Sequence, residues 1–165
     1  HMSMLETFLL PSMIRPLRPV TFVVKESLLD YPLFKHVMRS IEPVAVTRTN
    51  PREDLKTVLN QGSEKLRSGT AIIVFPQTTR AHTFDPAQMT TIGVKLAKKA
   101  KVPVVPLALK TDALQNGRKF KDFGRLDRSK TVHFAFGKPF MVSTKGDREH
   151  AKINDFILTQ LQRWS

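Results

Sequence analysis

Short apolar runs set between amphipathic helices are the feature that most restricts what this chain can fold into. Val20-Thr21-Phe22-Val23-Val24 and Val44-Ala45-Val46 are β-branched and too short for helices. Thr70-Ala71-Ile72-Ile73-Val74-Phe75 and Val104-Val105-Pro106-Leu107-Ala108-Leu109 are nearly continuous apolar runs, the pattern of strands buried on both faces, with Pro106 at a bulge or an unpaired position. A last strand is predicted over 131–136. Helices are predicted between them: over 5–14, interrupted by Pro11 and closed by Pro16 and Pro19; over 32–41; after Asn50; over about 93–101; and from about 147 to 164. The helix after Asn50 is the most completely specified. Asn50 caps it, Pro51 opens it, Glu53 and Asp54 meet the positive end of its dipole, and Gly69 ends it.

Strand and helix in alternation, with buried central runs, predict an α/β fold: a mixed, largely parallel central sheet with helices on both faces. No repeat or low-complexity linker divides the chain, so residues 1–165 are read as one domain. With 41% apolar and 25% charged residues the composition is that of a globular chain and excludes disorder. The absence of cysteine excludes disulfides, thiolate metal sites and a Cys nucleophile, and agrees with a reducing compartment. No apolar run approaches the about 20 residues needed to span a bilayer, and the opening residues, with Glu6 and Pro11, do not read as a signal peptide. Charge is the outlier. A net +13 favours an anionic partner: nucleic acid, anionic lipid, a phosphorylated substrate or an acidic carrier protein.

In parallel sheets chemistry gathers where strand ends meet loops. Lys25 ends the first strand, Arg48 follows the second with Arg52 four residues on, and Gln77-Thr78-Thr79-Arg80 follows the third. Each cation alone reads most simply as a solvated surface charge. Three strands delivering cations to one edge make a phosphate pocket, with fork donors from Arg and a point charge from Lys. Ahead of them stand His1 and, five residues on, Glu6.

The order and spacing of these clusters resemble the glycerolphosphate and lysophosphatidate (1-acylglycerol-3-phosphate) acyltransferase family. His1 to Glu6 matches that family's His-x4-Asp block with Glu in place of Asp. Glu42-Pro43-Val44-Ala45-Val46-Thr47-Arg48 keeps the strand and Arg of its second block and lacks the Gly. Phe75-Pro76-Gln77-Thr78-Thr79-Arg80-Ala81 aligns with Phe-Pro-Glu-Gly-Thr-Arg-Ser, and Val102-Pro103-Val104-Val105-Pro106-Leu107-Ala108 with Val-Pro-Ile-Val-Pro-Val-Ala. The segment from Phe22 through Phe34 is similar to the stretch the family places between the first two blocks. The resemblance covers residues 1 to about 140. It favours a native His1 over a remnant of cloning, and it implies further chain before His1, a strand and helices.

What the resemblance implies is a phospholipid-biosynthetic acyltransferase moving a fatty acyl chain from acyl-CoA or an acyl carrier protein to the hydroxyl of a lysophospholipid. His1 is the implied general base and Glu6 the carboxylate that fixes its tautomer, chemistry suited to an imidazole near neutral pH. Lys25, Arg48, Gln77, Thr78, Thr79 and Arg80 are the implied binding set for the acceptor's phosphate. Gln77 and Thr78 depart from the family's Glu-Gly and leave the acceptor open: lysophosphatidate, another lysolipid or an amino-lipid. No cofactor is implied beyond the thioester co-substrate. The implied location is the cytoplasmic face of the membrane, peripheral or anchored by a preceding segment.

His36, His82, His133 and His150 have no carboxylates at ligand spacing, so no metal is expected. Between Arg118 and Lys130 six cations alternate with Phe120 and Phe123, a loop that suits an anionic membrane surface, an acidic carrier protein or the phosphates of coenzyme A. Competing readings are a nucleic-acid-binding module, suggested by charge alone and lacking any recognisable motif, a non-catalytic lipid-binding relative, and a thioesterase in which water replaces the acceptor.

Overall fold

The computed structural model describes residues 2–30, 40–77, 81, 83–114, 124–143 and 145–165. Helix α1 (Leu5–Ile14) leads into strand β1 (Val20–Lys25); β2 (Val44–Val46), helix α2 (Pro51–Arg67), β3 (Ala71–Ile73), helix α3 (Ile92–Ala100), β4 (Leu107–Lys110), β5 (His133–Phe136) and helix α4 (Asp147–Arg163) follow. The helix predicted over 32–41 falls mostly outside the described residues.

β1 is the centre of a three-stranded sheet of order β2-β1-β3, parallel throughout. Period-2 alternation then divides the side chains between two cores. Val20, Phe22 and Val24 of β1 join Ile73 of β3 and Leu10 of α1 on one face, with Phe75 stacked on Phe22 at 6.0 Å. Val23 of β1, Val44 of β2 and Ile72 and Val74 of the third strand's line meet Val58 of α2 and Leu96 of α3 on the other. The sheet is thus covered on both faces, as its apolar strands predict.

The predicted cap of α2 is present: the Asn50 side chain accepts from the Glu53 N–H at 3.3 Å. Gly69, just past the helix, has φ +90°. Two elements differ from expectation. α1 runs through Pro11 to Ile14 rather than breaking there. The apolar run over 104–109 is not one strand: Val104 bridges Phe140, Pro106 lacks an N–H and offers only its carbonyl to Gly137, and regular pairing starts at Leu107. β4 and β5 then form a separate two-stranded antiparallel sheet on which α4 packs.

Candidate active site

Because β1, β2 and β3 are parallel, their C-terminal ends share one edge, and Lys25, Arg48 and Gln77 of the predicted binding set follow those ends. Lys25 is the last residue of β1, exposed, in register with Val46, two residues before Arg48. Arg48 is a non-glycine residue at φ 64°, a left-handed conformation that L residues seldom adopt. Asp54 in the first turn of α2 secures it: one carboxylate oxygen accepts from Thr47 N–H at 2.8 Å and Thr47 Oγ1 at 3.1 Å, the other from Arg48 N–H at 2.7 Å. Burial works to raise the pKa of this carboxyl, but these hydrogen bonds outweigh it and hold Asp54 below its ordinary range. The loop bearing Arg48 is therefore fixed by an anion on the next helix.

Gln77 follows the third strand and is buried, and among the described residues its Nε2 has no hydrogen-bond partner. A buried amide donor without a partner is costly unless a ligand supplies the acceptor. Thr78, Thr79 and Arg80, next in sequence, lie outside the described residues, as does His1.

The second predicted cluster sits at the start of α1. Glu6 is fully buried and its carboxylate turns back on the chain that precedes it. Oε1 accepts from the Met2 N–H at 2.6 Å and the Ser3 N–H at 3.0 Å; Oε2 shares the Ser3 N–H at 3.1 Å. Ser3-x-x-Glu6 is the signature of a capping box, and here the carboxylate half of that arrangement forms while Ser3 Oγ accepts from Leu5 N–H. A further partner escaped the sequence altogether. Thr111, one residue past β4 and fully buried, donates its hydroxyl to Glu6 Oε1 at 2.5 Å. Nothing in a lone threonine 105 residues away marks it; the Ser-x-x-Glu spacing was the available signal for the cap.

The structure holds a cavity of about 1040 Å³, at the upper end of the range of ligand pockets, which Glu6, Lys25 and Arg48 do not line. Met2, beside His1 in sequence, and Gln77, beside Thr78, both line it. Its walls are otherwise mostly apolar: the third strand from Ala71 to Phe75, the Val102–Leu107 run, and Ile153, Ile157 and Leu161 of α4. Ile14, Leu17 and Arg18, at and just beyond the end of α1, also line it.

The other candidates lie elsewhere. His133 stacks on Trp164 at 5.0 Å, His150 borders the cavity from α4, and His36 and His82 lie outside the described residues. Among the described residues no three His, Asp or Glu side chains are grouped as metal ligands would be. Of the basic loop, 118–123 lie outside the described residues. Lys130 is bound to Asp112 at 2.8 Å, a hydrogen bond that lowers the carboxyl's pKa and raises the amine's, so this cation anchors the loop to the end of β4. No described helix is long and apolar enough to cross a membrane.

Comparison with known proteins places the chain. A family model described as Acyltransferase matches residues 1–110. A 1-acyl-sn-glycerol-3-phosphate acyltransferase of Pseudomonas aeruginosa is 29% identical over 154 residues, 93% of this chain and 57% of that protein. A probable 1-acyl-sn-glycerol-3-phosphate acyltransferase of Mycoplasma pneumoniae is 37% identical over 91 residues, 55% of this chain and 34% of that protein. The crystal structure of the 1-acyl-sn-glycerophosphate (LPA) acyltransferase PlsC from Thermotoga maritima superimposes with a TM-score of 0.65 at 20% identity, covering 99% of this chain and 63% of that one, and so shares the fold. The chain spans less than two thirds of the length of each of these relatives.

Proposed function

The chain belongs to the acyltransferase family, and from that membership and the site's geometry we propose that it transfers a fatty acyl group from a thioester, acyl-CoA or acyl carrier protein, to the hydroxyl of a lysophospholipid of the 1-acylglycerol-3-phosphate type. His1 takes the hydroxyl proton as the oxygen attacks the thioester carbonyl. The C–S bond then breaks, and the imidazolium returns the proton to the departing thiolate. Glu6 orients the imidazole and stabilises its charged form. Lys25, Arg48 and Arg80 hold the acceptor's phosphate; Thr78 and Thr79 add donors, and Gln77 offers its buried amide N–H to a substrate oxygen where the family pattern has a carboxylate.

The observation that carries this reading is that Met2 and Gln77, sequence neighbours of the base and of the phosphate-binding run, line the same large apolar cavity. A site for a fatty chain joined to a charged headgroup needs that combination of apolar volume and polar edge. Specific support for work at a lipid surface comes from α1. Its outer side exposes Phe8, Leu9 and Met13, Leu17 lies just beyond, and Arg15 and Arg18 follow beside them. Apolar side chains next to guanidinium groups suit an anionic bilayer, on the cytoplasmic side in this reading. Ile14, Leu17 and Arg18 also border the cavity, so a lipid met at this face has a way in.

The test is thiol release from palmitoyl-CoA, with and without lysophosphatidate. Release that requires the acceptor, with phosphatidate as product, supports the transferase. Release without it makes the protein a hydrolase. Vesicle binding with no release in either condition makes it a non-catalytic lipid-binding relative.

A further inference from the structure

We infer that Thr111 is a positioning residue for this reaction: its hydroxyl pins one oxygen of the Glu6 carboxylate and leaves the other for the imidazole of His1. The inference rests on the proposed pairing of Glu6 with His1. An ionised carboxylate is an acceptor with about four lone-pair sites, two on each oxygen. Among the described residues, Met2 N–H, Ser3 N–H and Thr111 Oγ1 all reach Oε1, at 2.6, 3.0 and 2.5 Å, whereas Oε2 has only its 3.1 Å share of the Ser3 N–H. The distribution is one-sided. Oε1 is saturated, and Oε2 retains capacity for a further donor beside the backbone of Met2, to which His1 is joined.

The hydroxyl is needed because the backbone donors alone leave the carboxylate loose. The terminal torsion of a Glu side chain is broad, so the carboxylate plane turns at small cost. Met2 and Ser3 belong to the same local turn as Glu6 and move with it. Thr111 does not: it follows β4, in the other sheet, and reaches Glu6 across 105 residues of sequence. Both side chains are fully buried, so water cannot replace the bond. A donor fixed to a separate element thus holds the carboxylate plane, and through it the ring, against rotation. A misplacement on the scale of 1 Å at such a site is enough to cost about 100-fold in rate.

The test uses the full chain with palmitoyl-CoA and lysophosphatidate, and four variants: Thr111→Ser, Thr111→Val, Thr111→Ala and Glu6→Gln. Thr111→Ser keeps the hydroxyl and is expected to keep kcat within about twofold. Thr111→Val, near-isosteric, and Thr111→Ala, which relieves any crowding if the valine variant folds poorly, are expected to lose about 10- to 100-fold in kcat with KM for both substrates within twofold. In the Glu6→Gln background, Thr111→Val is expected to cost nothing further, because it acts through the carboxylate. A folded Thr111→Val or Thr111→Ala protein with wild-type kcat overturns the role of Thr111 while leaving the His1–Glu6 pairing in place, as does a loss additive with that of Glu6→Gln. Wild-type kcat in Glu6→Gln overturns the pairing and this inference with it.

Discussion

Truncating Glu6 should cost far more stability than one surface carboxylate normally contributes, and the structure gives the size. Glu6→Ala removes the acceptor of three donors. The Met2 N–H is half-buried and can turn to water, but the Ser3 N–H and the Thr111 hydroxyl are buried and cannot. Two buried polar groups left without partners, at about 1–3 kcal/mol each, give about 2–6 kcal/mol. That is a large part of the about 5–15 kcal/mol that holds a typical domain together. Glu6→Gln can keep an oxygen at the Oε1 position, where Met2 N–H, Ser3 N–H and the Thr111 hydroxyl all donate, so its loss should stay below about 2 kcal/mol. Equilibrium urea unfolding at 10 °C, followed by far-ultraviolet circular dichroism, measures both. The reasoning predicts a wide gap between the two variants at unchanged m-value. Equal losses, or a Glu6→Ala loss under about 1 kcal/mol, would refute the account of this carboxylate as the tie between the start of α1 and the end of β4.

Three other outcomes follow from particular contacts. Gly146 precedes α4 at φ +106°, and a Cβ there would lie 2.8 Å from Val94 Cγ1, so Gly146→Ala should destabilise by about 1–3 kcal/mol in the same unfolding assay. The hydrogen bond from Lys130 depresses the Asp112 carboxyl below its ordinary 3.8; its stabilisation is complete above that value and is lost as pH falls through the folded pKa. The difference in urea midpoint between wild type and Asp112→Asn should therefore be full at pH 5 and shrink as pH falls below 3.8. Replacing Phe8, Leu9 and Met13 together by Ser should reduce co-sedimentation of the folded protein with phosphatidylglycerol vesicles several-fold; unchanged sedimentation would move the lipid-facing surface elsewhere.

Much of the scaffold was legible because its determinants are local. Asn50-Pro51 with Glu53 and Asp54 carries a complete helix start, and the runs at Val20 and Val44 are too short and too branched for anything but strands. Period-2 alternation in β1 even assigns Phe22 and Val23 to opposite cores. What the sequence did not disclose is non-local. Pro106 announced an interruption, but not that pairing would resume at Leu107 with β5 rather than beside β3; partners in a sheet are chosen across long stretches of chain. The site divides in the same way. Lys25, Arg48 and Gln77 were readable as strand-end residues, and parallel pairing brings them to one edge. The left-handed backbone at Arg48, the Asp54 carboxylate that holds it, and the bond from Thr111 to Glu6 each depend on a meeting of separate elements.

The central claim is that His1 and the cations after the strands serve one reaction, and replacing the base tests it most directly. Acceptor-dependent thiol release from palmitoyl-CoA should fall by about 10²–10⁴-fold in His1→Ala with the protein still folded, whereas Arg80→Ala should chiefly raise KM for lysophosphatidate. Unchanged turnover in folded His1→Ala protein would contradict the account.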